Sequence, residues 1–183
     1  MVSAGKCSIS NYEKQYFTEH PYNPYQDFER HGKVFNNLVR ILHPSSMLDV
    51  GCAYGFIVKR CLEAGIFAMG LDVSQWCGQQ KVIPGHYIRG TAWALPFKNK
   101  SFHVLFSEGV LEHIPEDKID QVFAEFERVA ARRCLGVSCN SPQTEHHLTN
   151  HNIDWWRERI PALTWLGATS RSLDLEDEWV VKS

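Results

Sequence analysis

The chain has 183 residues, a formal net charge of -2, 44% hydrophobic and 22% charged residues. That is enough for one domain with a real core, which at this size buries roughly 70% of the surface of the unfolded chain. No run of one charge sign offers a surface for nucleic acid or acidic lipid, and no stretch approaches the ~18 unbroken apolar residues that span a membrane. The opening residues MVSAGKCSISNYEKQY lack an apolar segment, so no secretory signal is expected. Cysteines at 7, 52, 61, 77, 134 and 139 form no CxxC pair, which predicts reduced thiols in a cytoplasmic protein rather than disulfides or a zinc site. There is no internal repeat.

Residues 1–10 read as disordered. Residues 11–28 are rich in aromatics, including Tyr12, Tyr16, Phe17, Tyr22 and Tyr25, while Pro21 and Pro24 interrupt any long helix. This N-terminal segment, residues 1–33, reads either as a flap packed on the domain or as a lid over its ligand; residues 34–183 form the domain itself. Phe35, Leu38, Val39 and Leu42 share one face of a helix predicted over 28–42. Residues 47–50 are a short apolar strand that carries one acid, Asp49. Gly51-Cys52-Ala53-Tyr54-Gly55 is a turn whose outer glycines permit positive φ and a close approach of backbone to a ligand. A helix over 56–64, a strand over 66–73 ending near Asp72, and a short helix over 74–81 capped by Ser74 follow. Strands are expected at 86–89, 102–107 and 133–138, with an amphipathic helix at 118–131. Asp154 is placed as the cap of a further helix, and 163–168 and 179–182 as the last two strands.

Strand, glycine turn, helix and strand make half of a nucleotide-binding α/β unit, with the ligand at the carboxyl ends of the strands. A dinucleotide fingerprint, G-x-G-x-x-G, is opposed by Ala53 at the middle position and by the missing third glycine. Asp49 would repel a phosphate and suits a ligand with an ammonium group. A nicotinamide-dependent oxidoreductase is thereby disfavoured.

The spacing D-x-G-x-A-x-G from Asp49 to Gly55 resembles motif I of the class I S-adenosylmethionine-dependent methyltransferases. Asp72 stands where that family has its second acid. Gly90-Thr91-Ala92 with Leu95-Pro96-Phe97, followed by Val110-Leu111-Glu112-His113, is similar to the family's branch with G-D-A-x-x-L-P-F and V-L-E-H segments. The resemblance implies a three-layer α/β/α Rossmann-like fold with a mostly parallel seven-stranded sheet and an antiparallel last strand.

It implies that Asp49 and the loop of Gly51, Cys52, Ala53, Tyr54 and Gly55 hold the amino-acid end of S-adenosylmethionine. Asp72, with Val73 beside it, would take the ribose hydroxyls, since a carboxylate accepts from two vicinal hydroxyls. Thr91, Ala92 and Trp93 would border the adenine, and Ser107 and Glu108 would run beside the sulfonium. Thr91 replaces the family's usual Asp, and His103 replaces the Asp of S-F-D. His113 is the general-base candidate, because histidine ordinarily titrates near neutrality. The segment His147 to Trp156 resembles one found in methyltransferases of saccharide pathways, so His147 and Trp156, together with Tyr16, are candidates for contacting a small-molecule or saccharide acceptor. Glu145, His146, His147 and His151 fall in an apparent loop, and no metal site is expected from their spacing. The implied reaction is methyl transfer to oxygen or nitrogen; the alternative is a catalytically degenerate module of the same fold that serves a partner.

Overall fold

The computed structural model describes residues 12–19, 28–137, 146–159 and 180–181. β1 (Ser46–Val50) lies at the centre of the sheet, buried along nearly its whole length. It pairs in parallel with β2 (Phe67–Asp72) on one side and β4 (Phe102–Glu108) on the other. β3 (Tyr87–Arg89) extends the sheet beyond β2, and β5 (Ala130–Gly136) extends it beyond β4, both in parallel. β6 (Val180–Val181) pairs antiparallel with β5. The order is β3-β2-β1-β4-β5-β6. Six of the seven expected strands are found among the described residues, the last of them antiparallel; the strand expected at 163–168 lies outside those residues.

Strand side chains alternate between two faces, and the sequence fills both with apolar groups. Met47, Ala68, Val104 and Phe106 point to one side. There they meet Val34, Leu38 and Leu42 of α2 (Phe28–Leu42) and Ile57, Val58 and Cys61 of α3 (Phe56–Glu63). Leu48, Val50, Leu71 and Leu105 point to the other, against Ile119, Val122, Phe126 and Val129 of α5 (Ile119–Val129). Each fully buried aliphatic or aromatic side chain contributes about 1.5–3 kcal/mol relative to exposure. Helix, sheet and helix make the three layers. No helix among the described residues is long and apolar enough to cross a membrane.

Three local findings refine the sequence reading. The helix expected to run to residue 131 stops at Val129, and β5 starts directly at Ala130, whose backbone is extended. Alanine favours helix, but pairing of Ala130 with Phe102 in the ladder overrides that preference. His103, unexplained by sequence, accepts the backbone N–H of Ser45 at Nδ1 (3.1 Å), while its own N–H donates to Ser46 Oγ. It ties β4 to the start of β1. The cap of α6 (Ile153–Arg159) is Asn152, which accepts from Trp155 N at 3.0 Å; Asp154 lies inside the first turn and pairs with Arg157.

The chain leaves β1 toward β2 and β3, then returns to β4 on the opposite side of β1. That reversal opens a crevice at the carboxyl ends of β1 and β4, where open α/β sheets bind ligands.

Candidate cofactor and acceptor site

The turn after β1 forms one wall of the crevice. Gly51 and Cys52 both donate their backbone N–H to Leu71 O, at 2.8 and 3.2 Å, which bends the chain sharply over the end of β2. Gly51 has φ +82°, and a Cβ there would lie 2.1 Å from Val110 Cγ2. Gly55 has φ +86°, and its Cβ would strike Ile83 at 2.5 Å. Both glycines are thus required by conformation and by space. Ala53 also sits in the left-handed region at φ +46°. Its N–H donates to Asp72 Oδ2 at 2.9 Å, which holds this uncommon geometry.

Asp72 ends β2. Its other oxygen accepts from Ser74 N at 2.9 Å, and Ser74 Oγ caps α4 (Gln75–Gln80) through Cys77 N. Burial raises the Asp72 carboxyl above its usual range, against the opposing pull of these backbone donors. Asp49 is 4% exposed, and its carboxyl is raised well above the ordinary range, first by burial, then by repulsion from Asp72 and Glu108. Three neighbouring strands, β1, β2 and β4, therefore each bring an acid to the same end of the sheet. Such a cluster favours a cationic ligand.

The crevice is lined by Gly51, Ala53, Asp72, Val73, Ala92, Trp93, His113 and Tyr16 among the residues named from sequence. Others of that set support it from behind. Cys52 turns its sulfur beneath Gly70, Tyr54 packs on Phe17 at 5.9 Å between ring centroids, and Ser107 is fully buried in β4. Gly55 closes the turn, and Thr91 O accepts from Ala94 N in the loop after β3. Trp156 is corrected: it is 0% exposed and packs in the core beneath the sheet, so no face of it is open to an acceptor. Trp155 instead stacks on His151, with Arg159 over its ring.

The opposite wall comes from the segment after β4 and from α1 (Lys14–Glu19) with the residues just before it. Tyr12, Tyr16 and Phe17 face the crevice. Glu13 accepts from Gln75 N and Trp76 N at 3.0 and 2.9 Å, capping the start of α4 from a distant part of the chain. No sequence signal marks it, because its partners are remote and backbone groups have no side-chain signature. Gly109 and Val110, from the stretch whose family resemblance puts it beside the sulfonium and the acceptor, also line the crevice, as does Leu148, which no sequence motif marked.

His113 Nδ1 donates to His146 O at 2.8 Å, so that in the neutral form of the ring Nε2 is the acceptor nitrogen. The Tyr16 hydroxyl lies 3.5 Å from that Nε2. Tyr12 donates to His146 O at 3.3 Å. Thr149 N donates to Glu112 O and Thr149 Oγ1 to Ile114 O, which fastens the segment around residue 149 onto the turn of Glu112 and His113. His147 is brought against His113, with ring centroids 4.8 Å apart. Glu112, His113 and His147 place one ligand atom each within 4.8 Å of the others. Linear spacing concealed this set, since Glu112 and His113 precede α5 and β5 whereas His147 follows them.

Residues 48–134 match a family described as a methyltransferase domain. No protein among those with curated descriptions matches the sequence significantly. Among solved structures, a protein from Pyrococcus horikoshii superposes with TM-score 0.68 at 15% identity, over 92% of this chain and 96% of its own. The magnesium protoporphyrin IX methyltransferase of Synechocystis, solved with bound S-adenosylhomocysteine, gives TM-score 0.63 at 16% identity, over 85% and 83% of the two chains. A protein described as a methyltransferase from an antibiotic biosynthesis pathway of Anabaena variabilis gives TM-score 0.62 at 18% identity, and this chain spans 64% of its length. Residues 48–134 thus match a methyltransferase-domain family, and the chain carries them on the α/β fold that these solved structures share.

Proposed function

We propose that the protein transfers a methyl group from S-adenosylmethionine to an oxygen or nitrogen of a small-molecule acceptor. The observation that carries this reading is the convergence of Asp49, Asp72 and Glu108 with the positive-φ turn at one end of the sheet. That end is shaped as a bare backbone cradle at Gly51, and its charge suits a cationic ligand. The cofactor supplies an electrophilic methyl group on a sulfonium.

The chain's own residues do the rest. Asp72 accepts one backbone N–H at each oxygen; each oxygen retains a second acceptor site, enough for two ribose hydroxyls. The turn from Gly51 to Gly55, backed by Asp49, takes the amino-acid end. Ala92 and Trp93 border the adenine side, with Val73 between them and the ribose. Tyr12, Tyr16 and Phe17 exclude water from the mouth of the crevice, and alignment of this kind supplies roughly 7–11 kcal/mol of barrier lowering. His113 Nε2 faces the place left for the acceptor and takes its proton if that atom is a hydroxyl. A saccharide acceptor loses its stacking platform with Trp156 buried, which favours a smaller, flatter acceptor held between Tyr16, His113 and Leu148.

Calorimetric titration tests the reading. S-adenosylhomocysteine should bind one-to-one, and NADH should not bind. Failure to bind S-adenosylhomocysteine would leave a fold without its cofactor and would sink the proposal.

A further inference from the structure

We propose that Glu112, His113 and His147 form a binding site for a divalent transition-metal cation at the acceptor end of the crevice, with open positions that hold an acceptor oxygen. The inference deepens the methyl-transfer reading and, for the role of the cation in catalysis, rests on it. The ion site itself stands on the geometry of the three residues.

The donor set is one carboxylate and two imidazoles, whose ligand atoms lie within 4.8 Å of one another. A cation such as zinc with ligands at about 2.0–2.2 Å draws neighbouring donor atoms to roughly 3–4 Å, which small rotations of these side chains reach. Two nitrogens and one carboxylate oxygen suit zinc, manganese or cobalt better than calcium or magnesium, which prefer all-oxygen shells. Three protein ligands leave at least one position open.

The surroundings orient the donors. His113 Nδ1 donates to His146 O, so Nε2 carries the lone pair. Metal-bound histidines characteristically use their second nitrogen in this way, and the partner fixes both ring orientation and tautomer. Tyr12 donates to the same carbonyl and holds it in place. Glu112 is 3% exposed, so its carboxylate is held among fixed neighbours rather than free in solvent. Thr149 bonds to Glu112 O and Ile114 O, and thereby keeps His147 beside the other two ligands.

The site has direct access to the reaction space, because His113 lines the crevice together with Tyr16, Val110 and Leu148. An acceptor hydroxyl on the open position would lose its proton more readily to solvent water, since a cation stabilises the oxyanion that remains. With the ion bound, the Nε2 lone pair of His113 is engaged as a ligand, so the proton-accepting role proposed above belongs to the ion-free site. An acceptor with two adjacent oxygens would occupy two open positions and be preferred over one with a single hydroxyl.

The test uses tag-free protein stripped with a chelator and titrated with cobalt(II), followed by visible absorption and calorimetry. One cobalt per chain is expected, with d–d bands of a nitrogen-ligated ion. Glu112→Gln and His147→Ala should each weaken cobalt binding at least about tenfold, while His151→Ala should leave it unchanged. S-adenosylhomocysteine affinity should stay the same in Glu112→Gln and His147→Ala, which shows that both variants fold. Absence of stoichiometric cobalt binding, or equal cobalt affinity in both ligand variants, overturns the proposal. Cobalt binding without S-adenosylhomocysteine binding would uphold the ion site and remove the methyl-transfer reading instead.

Discussion

The two ends of the crevice are built in different ways. The cofactor end is made of backbone and strand-end carboxylates: a glycine turn, two helix starts and the acids of β1, β2 and β4, with Ala92 and Trp93 beside them. The acceptor end is made of side chains, with tyrosines from α1 and histidines from two segments on either side of β5. The first end follows from the topology of a doubly wound sheet, whose strand ends must converge. The second depends on which loops happen to meet above that sheet. A fold of this type can therefore keep one ligand while its other specificity is rewritten in the loops.

The largest expected effect strikes the backbone end. Asp72→Ala removes a carboxylate proposed to accept two ribose hydroxyls and frees Ala53 N and Ser74 N from their partner. Hydrogen bonds to a charged group contribute about 1.5–3 kcal/mol each, so S-adenosylhomocysteine affinity should fall at least about 100-fold in calorimetry. The circular dichroism spectrum should remain that of a folded α/β protein. Equal affinity in the variant would remove Asp72 from the site. Gly51→Ala comes next. It forces a positive φ on a residue with a Cβ and drives that Cβ into Val110. A loss of about 1–3 kcal/mol in denaturant-measured stability is expected, together with weakened cofactor binding. Val110→Ala in the same chain should recover only the steric part.

The contrast explains how much was legible. The strand–turn–helix–strand unit, Asp72 and the Ser74 cap stand in one continuous stretch, with periodicity and turn chemistry all in agreement. They are found where the sequence places them. Trp156 was misread because a tryptophan at a helix start looks the same whether its ring faces solvent or core; only packing against α5 and the sheet decides. Glu13 was invisible for a different reason. A carboxylate that caps a helix in its own segment leaves a spacing signature, whereas one reaching Gln75 and Trp76 leaves none. The pairing of His113 with His147 depends in the same way on residues far apart in sequence meeting at the turn after β4.

Charge sharpens the comparison further. The Asp49 carboxyl titrates above its unfolded value in the ligand-free protein, because of burial and its acidic neighbours. The folded state therefore holds a proton that the unfolded state has already released, and stability falls as pH rises through that window. Asp49→Asn should raise the thermal midpoint of the ligand-free protein, with the gain growing as pH increases above the ordinary carboxylate range. The same variant should bind the sulfonium cofactor more weakly than wild type. In wild type, affinity for that cation should increase with pH over the same window. A midpoint that is lower in the variant at every pH would contradict the electrostatic account.

The smallest effect tests the contact between the two ends. Glu13→Gln weakens the cap that ties the N-terminal segment to α4, at a cost of about 1 kcal/mol. Amide exchange at Gln75 and Trp76 should speed up several-fold, and S-adenosylhomocysteine affinity should fall by less than in Asp72→Ala. Unchanged exchange would mean that this carboxylate holds nothing in solution.

The most direct measurement is a crystal structure of the protein with S-adenosylhomocysteine. The account predicts density with the ribose hydroxyls on Asp72, the amino-acid end over the turn from Gly51 to Gly55, and the sulfur facing His113. Density elsewhere, or a crevice filled by Tyr12, Tyr16 and Phe17 at saturating ligand, would contradict it.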